Sequence, residues 1–226
     1  MPCAVGVAPC AVDWASPRQN GGRWRAVVAP PVAPSPPMSS AAPTPRPAVP
    51  LVWGHGPKLL EVFLEPTCPF SARAFGKLDE LLVRAGEARL TLKIRLLSQP
   101  WHQFSPVVTR AIVAASTLDA GKAAAWAVLA AVFAHREDFI LTHHASGPNL
   151  DLSLRDVIRR IAQHSGVDVA EAFEWPELET DLKWHAKYAR QNGIHVTPTF
   201  MVDGLVAGDI SSGDTVDVWL HKLGLA

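Results

Sequence analysis

Residues 59–71 read Leu59-Leu60-Glu61-Val62-Phe63-Leu64-Glu65-Pro66-Thr67-Cys68-Pro69-Phe70-Ser71. The apolar run from Leu59 to Glu65, stopped by Pro66, predicts a short buried strand. From Pro69 onward Phe75, Leu78, Leu82 and Ala85 recur at helical spacing, and Gly86 closes the pattern as a helix stop. Cys68 therefore stands where a strand hands over to a helix. Backbone N–H groups at a helix start lack intrahelical partners and the macrodipole is positive there. Both favour thiolate over thiol in a cysteine so placed. Pro69 suits the first helical turn, where its missing N–H is not needed. A small capping or core cysteine fits the same junction, because buried cysteines are common. The stretch alone leaves both roles open.

Downstream, Leu90–Leu97 alternates apolar and polar residues and predicts a second strand. Pro106–His135 reads as Ala-rich helix divided near Gly121. Leu152–His164 and Glu177–Asn192 read as two more helices, the second ended by Gly193 in a left-handed cap. Pro198–Val202 and Leu205–Ala207 are strands joined by Asp203-Gly204, a favoured pair for a type I′ turn. Asp214 is placed to cap a last helix whose apolar face is Val216, Trp219, Leu220 and Leu223. The order is strand, helix, strand, helical block, hairpin, helix: one α/β unit interrupted in its middle.

Cys68-Pro69-Phe70-Ser71 and Gly193-Ile194-His195-Val196-Thr197-Pro198-Thr199-Phe200-Met201-Val202-Asp203-Gly204 together resemble the thioredoxin superfamily, in its DsbA-like branch. The resemblance covers about Leu51–Ala226. It implies an α/β thioredoxin fold with a helical insertion at about 106–192. It also implies that Cys68 is the nucleophilic cysteine and that Thr197-Pro198 is a cis-proline pair facing it. Pro69, Phe70, Thr197 and Pro198 would then form the substrate groove. Where the family carries its second, resolving cysteine, this chain has Ser71. A serine cannot attack a mixed disulfide, so release would need an external thiol such as glutathione. Ser71 is expected either to hydrogen-bond the thiolate or to serve as a helix-start hydroxyl.

The ends and the bulk numbers narrow the reading. Residues 1–50 hold 12 of the 20 prolines, with Asp13 as their only acid. Such a segment cannot supply the donors of a helix or sheet and is expected to be disordered. It lacks the layout of a secretory signal. It reads as a tail, as a transit peptide, or as an over-long start before Met38. Lys plus Arg balances Asp plus Glu at 21 each, which argues against bulk-charge binding to nucleic acid or an anionic membrane. No run reaches the ~18 apolar residues of a spanning helix. Three cysteines are too few for a secreted disulfide framework, so a reducing, cytoplasmic compartment is expected, or an organelle stroma or matrix if the leader is real.

The leading expectation is a monothiol thiol–disulfide oxidoreductase working through mixed disulfides of Cys68. Its partners would be a thiol- or disulfide-bearing protein or glutathione, with no tightly bound cofactor. Two alternatives stay open. One is a glutathione-using transferase or isomerase of the kappa-class type, a group that carries serine where this chain has Cys68. The other is a redox-inactive peptide-binding module. Cys3 and Cys10 have nothing to position them as resolving thiols. His102 and His195 are candidates to lie near the groove. His143-His144 and the other histidines show no ligand partners at metal spacing, so no metal site is expected. The tryptophans at 53, 101, 126, 175, 184 and 219 read as core and packing residues.

Overall fold

The computed structural model describes residues 45–142 and 145–226. The proline-rich segment lies outside the described residues as far as residue 44, as do His143 and His144. Ala48 already packs against the core, and Val49 N–H donates to Ser116 O at 3.4 Å.

Five strands form one sheet: β1 (Val52–Gly54), β2 (Lys58–Leu64), β3 (Leu90–Leu96), β4 (Thr199–Val202) and β5 (Leu205–Val206), in the order β1-β3-β2-β4-β5. β2 and β3 are parallel, with Leu60 opposite Leu92 and Val62 opposite Ile94. Parallel neighbours need a crossover of a dozen residues or more. Here α1 (Pro69–Phe75) and α2 (Leu78–Ala85) supply it. The sequence pattern predicts one helix over this stretch; the structure breaks it at Gly76 and Lys77. Cys68 therefore caps a helix of only two turns, too short for much macrodipole. β4 returns antiparallel to β2, pairing Val62 with Phe200. At the tip of the β4–β5 hairpin Asp203 has φ 50° and Gly204 φ 85°, the left-handed pair that a type I′ turn requires. β1, too short for its alternation to register in the sequence, pairs antiparallel with β3 at the sheet edge.

The insertion between β3 and β4 holds α3 (Ser105–Ser116), α4 (Lys122–Ala134), α5 (Leu154–Ser165), α6 (Ala170–Phe173) and α7 (Leu178–Gln191). Gly121, at φ 53°, separates α3 from α4, and Gly193, at φ 69°, follows α7. The C-terminal helix is α8 (Val216–Lys222), whose N-cap is Thr215 rather than Asp214. Thr215 Oγ1 accepts from Val218 N–H, while Asp214 accepts from Ser211 N–H and pairs with Lys222. Among the described residues, no helix is long and apolar enough to cross a membrane.

Side chains alternate across a strand, so β2 buries two faces. Leu60, Val62 and Leu64 join the large core with the inward residues of β3 and of α3 and α4. Glu61 and Phe63 face the other way, where Phe63 packs with Ala189, Ile194 and Met201. Trp219 is fully buried, but Trp101 and Trp184 are exposed at 67% and 45%. These two are not core residues. Trp184 instead stacks on Tyr188 and lies over the Arg95 guanidinium.

Candidate active site

The strand β2 ends at Leu64, and Glu65, Pro66 and Thr67 carry the chain to Cys68. Cys68 N–H donates to Glu65 O at 3.1 Å, which closes the turn and sets the cysteine at the start of α1. Its side chain is buried, 8% exposed, and makes no capping bond. Cys68 Sγ instead lies 3.6 Å from the carbonyl oxygen of Thr197. The Thr197–Pro198 peptide is cis. Residues 129 positions apart thus meet at the sulfur.

Ser71 is also fully buried, and its Oγ accepts from Glu65 N–H at 3.1 Å. That bond ties the first turn of α1 back to the end of β2, which is the role of a helix-start hydroxyl. Pro69 and Phe70 are exposed beside the sulfur, Phe70 at 54% with Arg73 5.7 Å from its ring centroid. The structure thus brings Cys68, Thr197 and Pro198 together, with Pro69 and Phe70 on the rim and Ser71 turned toward the strand.

The sequence reading singled out His102 without its partners. Glu65 is fully buried at the end of an apolar strand, an unusual setting for a carboxylate. Its Oε1 accepts from Thr67 N–H at 3.0 Å and from Thr67 Oγ1 at 2.8 Å. Its Oε2 has no aligned donor, and lies 2.8 Å from His102 Nδ1. His102 Nδ1 is also 2.7 Å from Thr67 Oγ1. The loop that carries His102 is fixed by Gln99, whose Nε2 donates to His195 O at 3.2 Å. His195 thus contributes its carbonyl, while its own side chain is exposed. A pocket of about 330 Å³ opens beside Pro69, walled by Trp101, His102, Arg136 and Phe139. The signal for Glu65 was in the sequence: an acid within an apolar run asks for a buried partner.

A second buried acid stands four residues earlier. Glu61 receives Arg95 Nε at 2.7 Å on Oε1 and Tyr188 OH at 2.9 Å on Oε2. Burial and the adjoining Glu61 carboxylate raise the Tyr188 phenol above its ordinary value. Nearby, His185 Nδ1 accepts from Leu96 N–H at 3.2 Å. Burial and the Arg95 charge push His185 down to about 4. One group of metal-ligating type exists among the described residues, His135, Asp138 and His164. Its two imidazoles stack at 3.9 Å and 15°. His164 Nε2 is already 2.9 Å from Asp138.

The family model described as thioredoxin matches residues 55–222. The chain belongs to the thioredoxin family. A crystal structure described as a "putative protein-disulfide isomerase" from Pseudomonas syringae is 61% identical, with a TM-score of 0.76. That likeness covers 77% of this chain and 97% of the other. DsbA2 of Pseudomonas aeruginosa, at 18% identity and TM-score 0.54, shares the fold over 83% of this chain and 97% of its own. BdbD of Bacillus subtilis, oxidised, does so at 15% identity and TM-score 0.56, over 82% and 97%. No curated protein matches. The fold is the thioredoxin α/β unit with a helical insertion, here α3 to α7.

Proposed function

We propose that this thioredoxin-family protein is a thiol–disulfide oxidoreductase that works through mixed disulfides of Cys68 alone. The observation that carries the reading is the meeting of Cys68 Sγ with the Thr197 carbonyl at the cis Thr197–Pro198 peptide, beside an exposed apolar rim of Phe70, Trp101 and Val196. An extended thiol- or disulfide-bearing chain fits such a rim better than a compact charged ligand does. The description of the 61%-identical Pseudomonas syringae protein as a protein-disulfide isomerase points the same way. Ser71 holds the position of a resolving thiol, and its Oγ accepts from the Glu65 amide. Release of a mixed disulfide then falls to an external thiol, and a reducing, cytoplasmic setting goes with that requirement.

Ser71→Cys tests this. In a Cys3→Ser, Cys10→Ser background, oxidised glutathione should leave a stable glutathione adduct on Cys68. The Ser71→Cys version should expel the glutathione and close a Cys68 disulfide with the new thiol, because release becomes intramolecular. Intact mass after the same oxidation distinguishes the products. An unmodified Cys68 after oxidation would sink the proposal and favour a redox-inactive peptide-binding module.

A further inference from the structure

Glu65 is a fully buried carboxylate whose Oε2 has no aligned donor, yet it faces a histidine that opens onto the pocket beside Pro69. The donor count around this group decides the histidine's tautomer. Thr67 has one hydroxyl hydrogen, and it goes to Glu65 Oε1. Toward His102 the threonine oxygen can therefore only accept, so the hydrogen between them sits on His102 Nδ1. A neutral imidazole with Nδ1–H leaves Nε2 as the lone-pair nitrogen. Nδ1 faces the buried Glu65 and Thr67, so Nε2 is on the ring edge away from them, on a side chain that is 23% exposed. If Nε2 takes up a proton, the new positive charge forms 2.8 Å from Glu65 Oε2. The buried acid thus supplies what a general base needs: a fixed tautomer and a waiting counter-charge.

We propose that His102 is the general base for the external thiol that releases Cys68 from its mixed disulfide, with Glu65 and Thr67 as the residues that position it. This rests on the reading of Cys68 as a mixed-disulfide thiol. The incoming thiol gives its proton to His102 Nε2. Its electron pair forms a bond to the substrate sulfur, and the bond from that sulfur to Cys68 breaks. Cys68 leaves as thiolate, reduced, while the incoming and substrate sulfurs depart as an oxidised pair. The imidazolium then returns its proton to solvent. The charged groups beside the ring are Glu65 and Arg136, whose Nη1 donates to Thr67 O at 3.3 Å. A base is useful here because Ser71 provides no internal thiol.

The size of the effect has a ceiling. An ordinary thiol with a pKa of about 8.5 is only about 3% thiolate at pH 7, so complete deprotonation gains at most about 30-fold. The advantage must fade as the thiol ionises by itself.

The test is a single turnover on the full chain with Cys3→Ser and Cys10→Ser, loaded as the Cys68–glutathione mixed disulfide. Reduced glutathione is added, the reaction is quenched with acid, and intact mass follows loss of the adduct from pH 6.5 to 9.5. His102→Asn keeps an N–H donor where Nδ1 stood but has no base. It should release glutathione about 10-fold more slowly at pH 7 and within about twofold of the parent at pH 9.5. His102→Gln, of closer volume, should show the same convergence, and thermal melts show that each variant is folded. Equal rates at pH 7 would overturn the proposal. So would a deficit that stays constant with pH, which is the signature of a structural role. If the adduct never forms on the parent chain, the reading of Cys68 fails, and this inference fails with it. If it forms and only the pH signature is missing, His102 alone is misassigned.

Discussion

Strand β2 and its extension carry two buried glutamates four residues apart, and they have been treated oppositely. Glu61, 2% exposed, has a fixed donor on each oxygen: the Arg95 guanidinium and the Tyr188 hydroxyl. Glu65 has both of its aligned bonds on one oxygen and turns the other toward His102. A buried polar group costs stability unless it is paired, so full satisfaction is the mark of a structural element. An oxygen left without an aligned donor can still answer a charge on its neighbour. Glu61 locks α7 to the sheet through Tyr188; Glu65 faces His102, which lines the pocket beside Pro69. Residue type, strand and burial are shared. What separates the two is where the second oxygen finds its partner.

The sharpest way to break this comparison is to remove a partner of Glu61. Arg95→Ala would leave a carboxylate buried with only the Tyr188 hydroxyl. Breaking a buried pair by deleting one member costs about 3–5 kcal/mol. The guanidinium also covers the Trp184 and Tyr188 rings at 4.5 and 4.9 Å, so Arg95→Lys should recover only part of the loss. Urea midpoints of the two variants measure this. If Arg95→Ala melts like the parent, the Glu61 cluster is not the structural member of the pair.

A second effect on the same side depends on pH. His185 is held down to about 4, from 6.5, by burial and by the Arg95 charge. The unfolded chain takes up a proton as pH falls below 6.5, whereas the folded chain refuses it until about 4. Stability is therefore complete above 6.5 and declines through that window, by up to ~3 kcal/mol. Protonation would also turn the Nδ1 acceptor of Leu96 N–H into a donor. His185→Gln, which retains an acceptor for that amide, should flatten the decline between pH 6.5 and 4. An unchanged slope of urea midpoint against pH would assign the acid loss to another group.

The sequence disclosed the parts of this arrangement that are decided locally. The run Leu59–Glu65, the alternation of Leu90–Leu97 and the Asp203-Gly204 turn each specify their element within a few residues, and β2, β3 and the β4–β5 hairpin follow them. The helix break at Gly76 and Lys77 was hidden because Phe75, Leu78, Leu82 and Ala85 keep helical spacing across it, and one glycine in such a pattern is a weak stop. Asp214 and Thr215 are both good caps by type; only the reach of Asp214 to Lys222 and Ser211 separates them. Exposed Trp184 depends on a cation in β3, nearly ninety positions earlier, and no local pattern announces that partnership. The Glu65–His102 contact is of the same kind. The acid was visible, its partner was not.

The smallest expected change in stability belongs to Glu65, and it is the one that sharpens the comparison most. In Glu65→Gln the amide oxygen can keep both Thr67 bonds, since Oε1 is their sole acceptor on this side chain. The amide nitrogen then replaces Oε2, the oxygen that had no aligned donor to lose. Facing that N–H donor, His102 is favoured in the tautomer with Nδ1 unprotonated, which moves its hydrogen to Nε2. The bond from His102 Nδ1–H to Thr67 Oγ1 is exchanged for one from the new amide N–H to Nδ1, so the melt should stay within about 1 kcal/mol of the parent, the net worth of a single hydrogen bond. The chemistry should not stay put. With Nε2 carrying the hydrogen and the counter-charge gone, release of glutathione from Cys68 should slow several-fold at pH 7 and recover by pH 9.5. A large loss of stability with an unaltered release rate would reverse the assignment, making Glu65 a structural acid like Glu61.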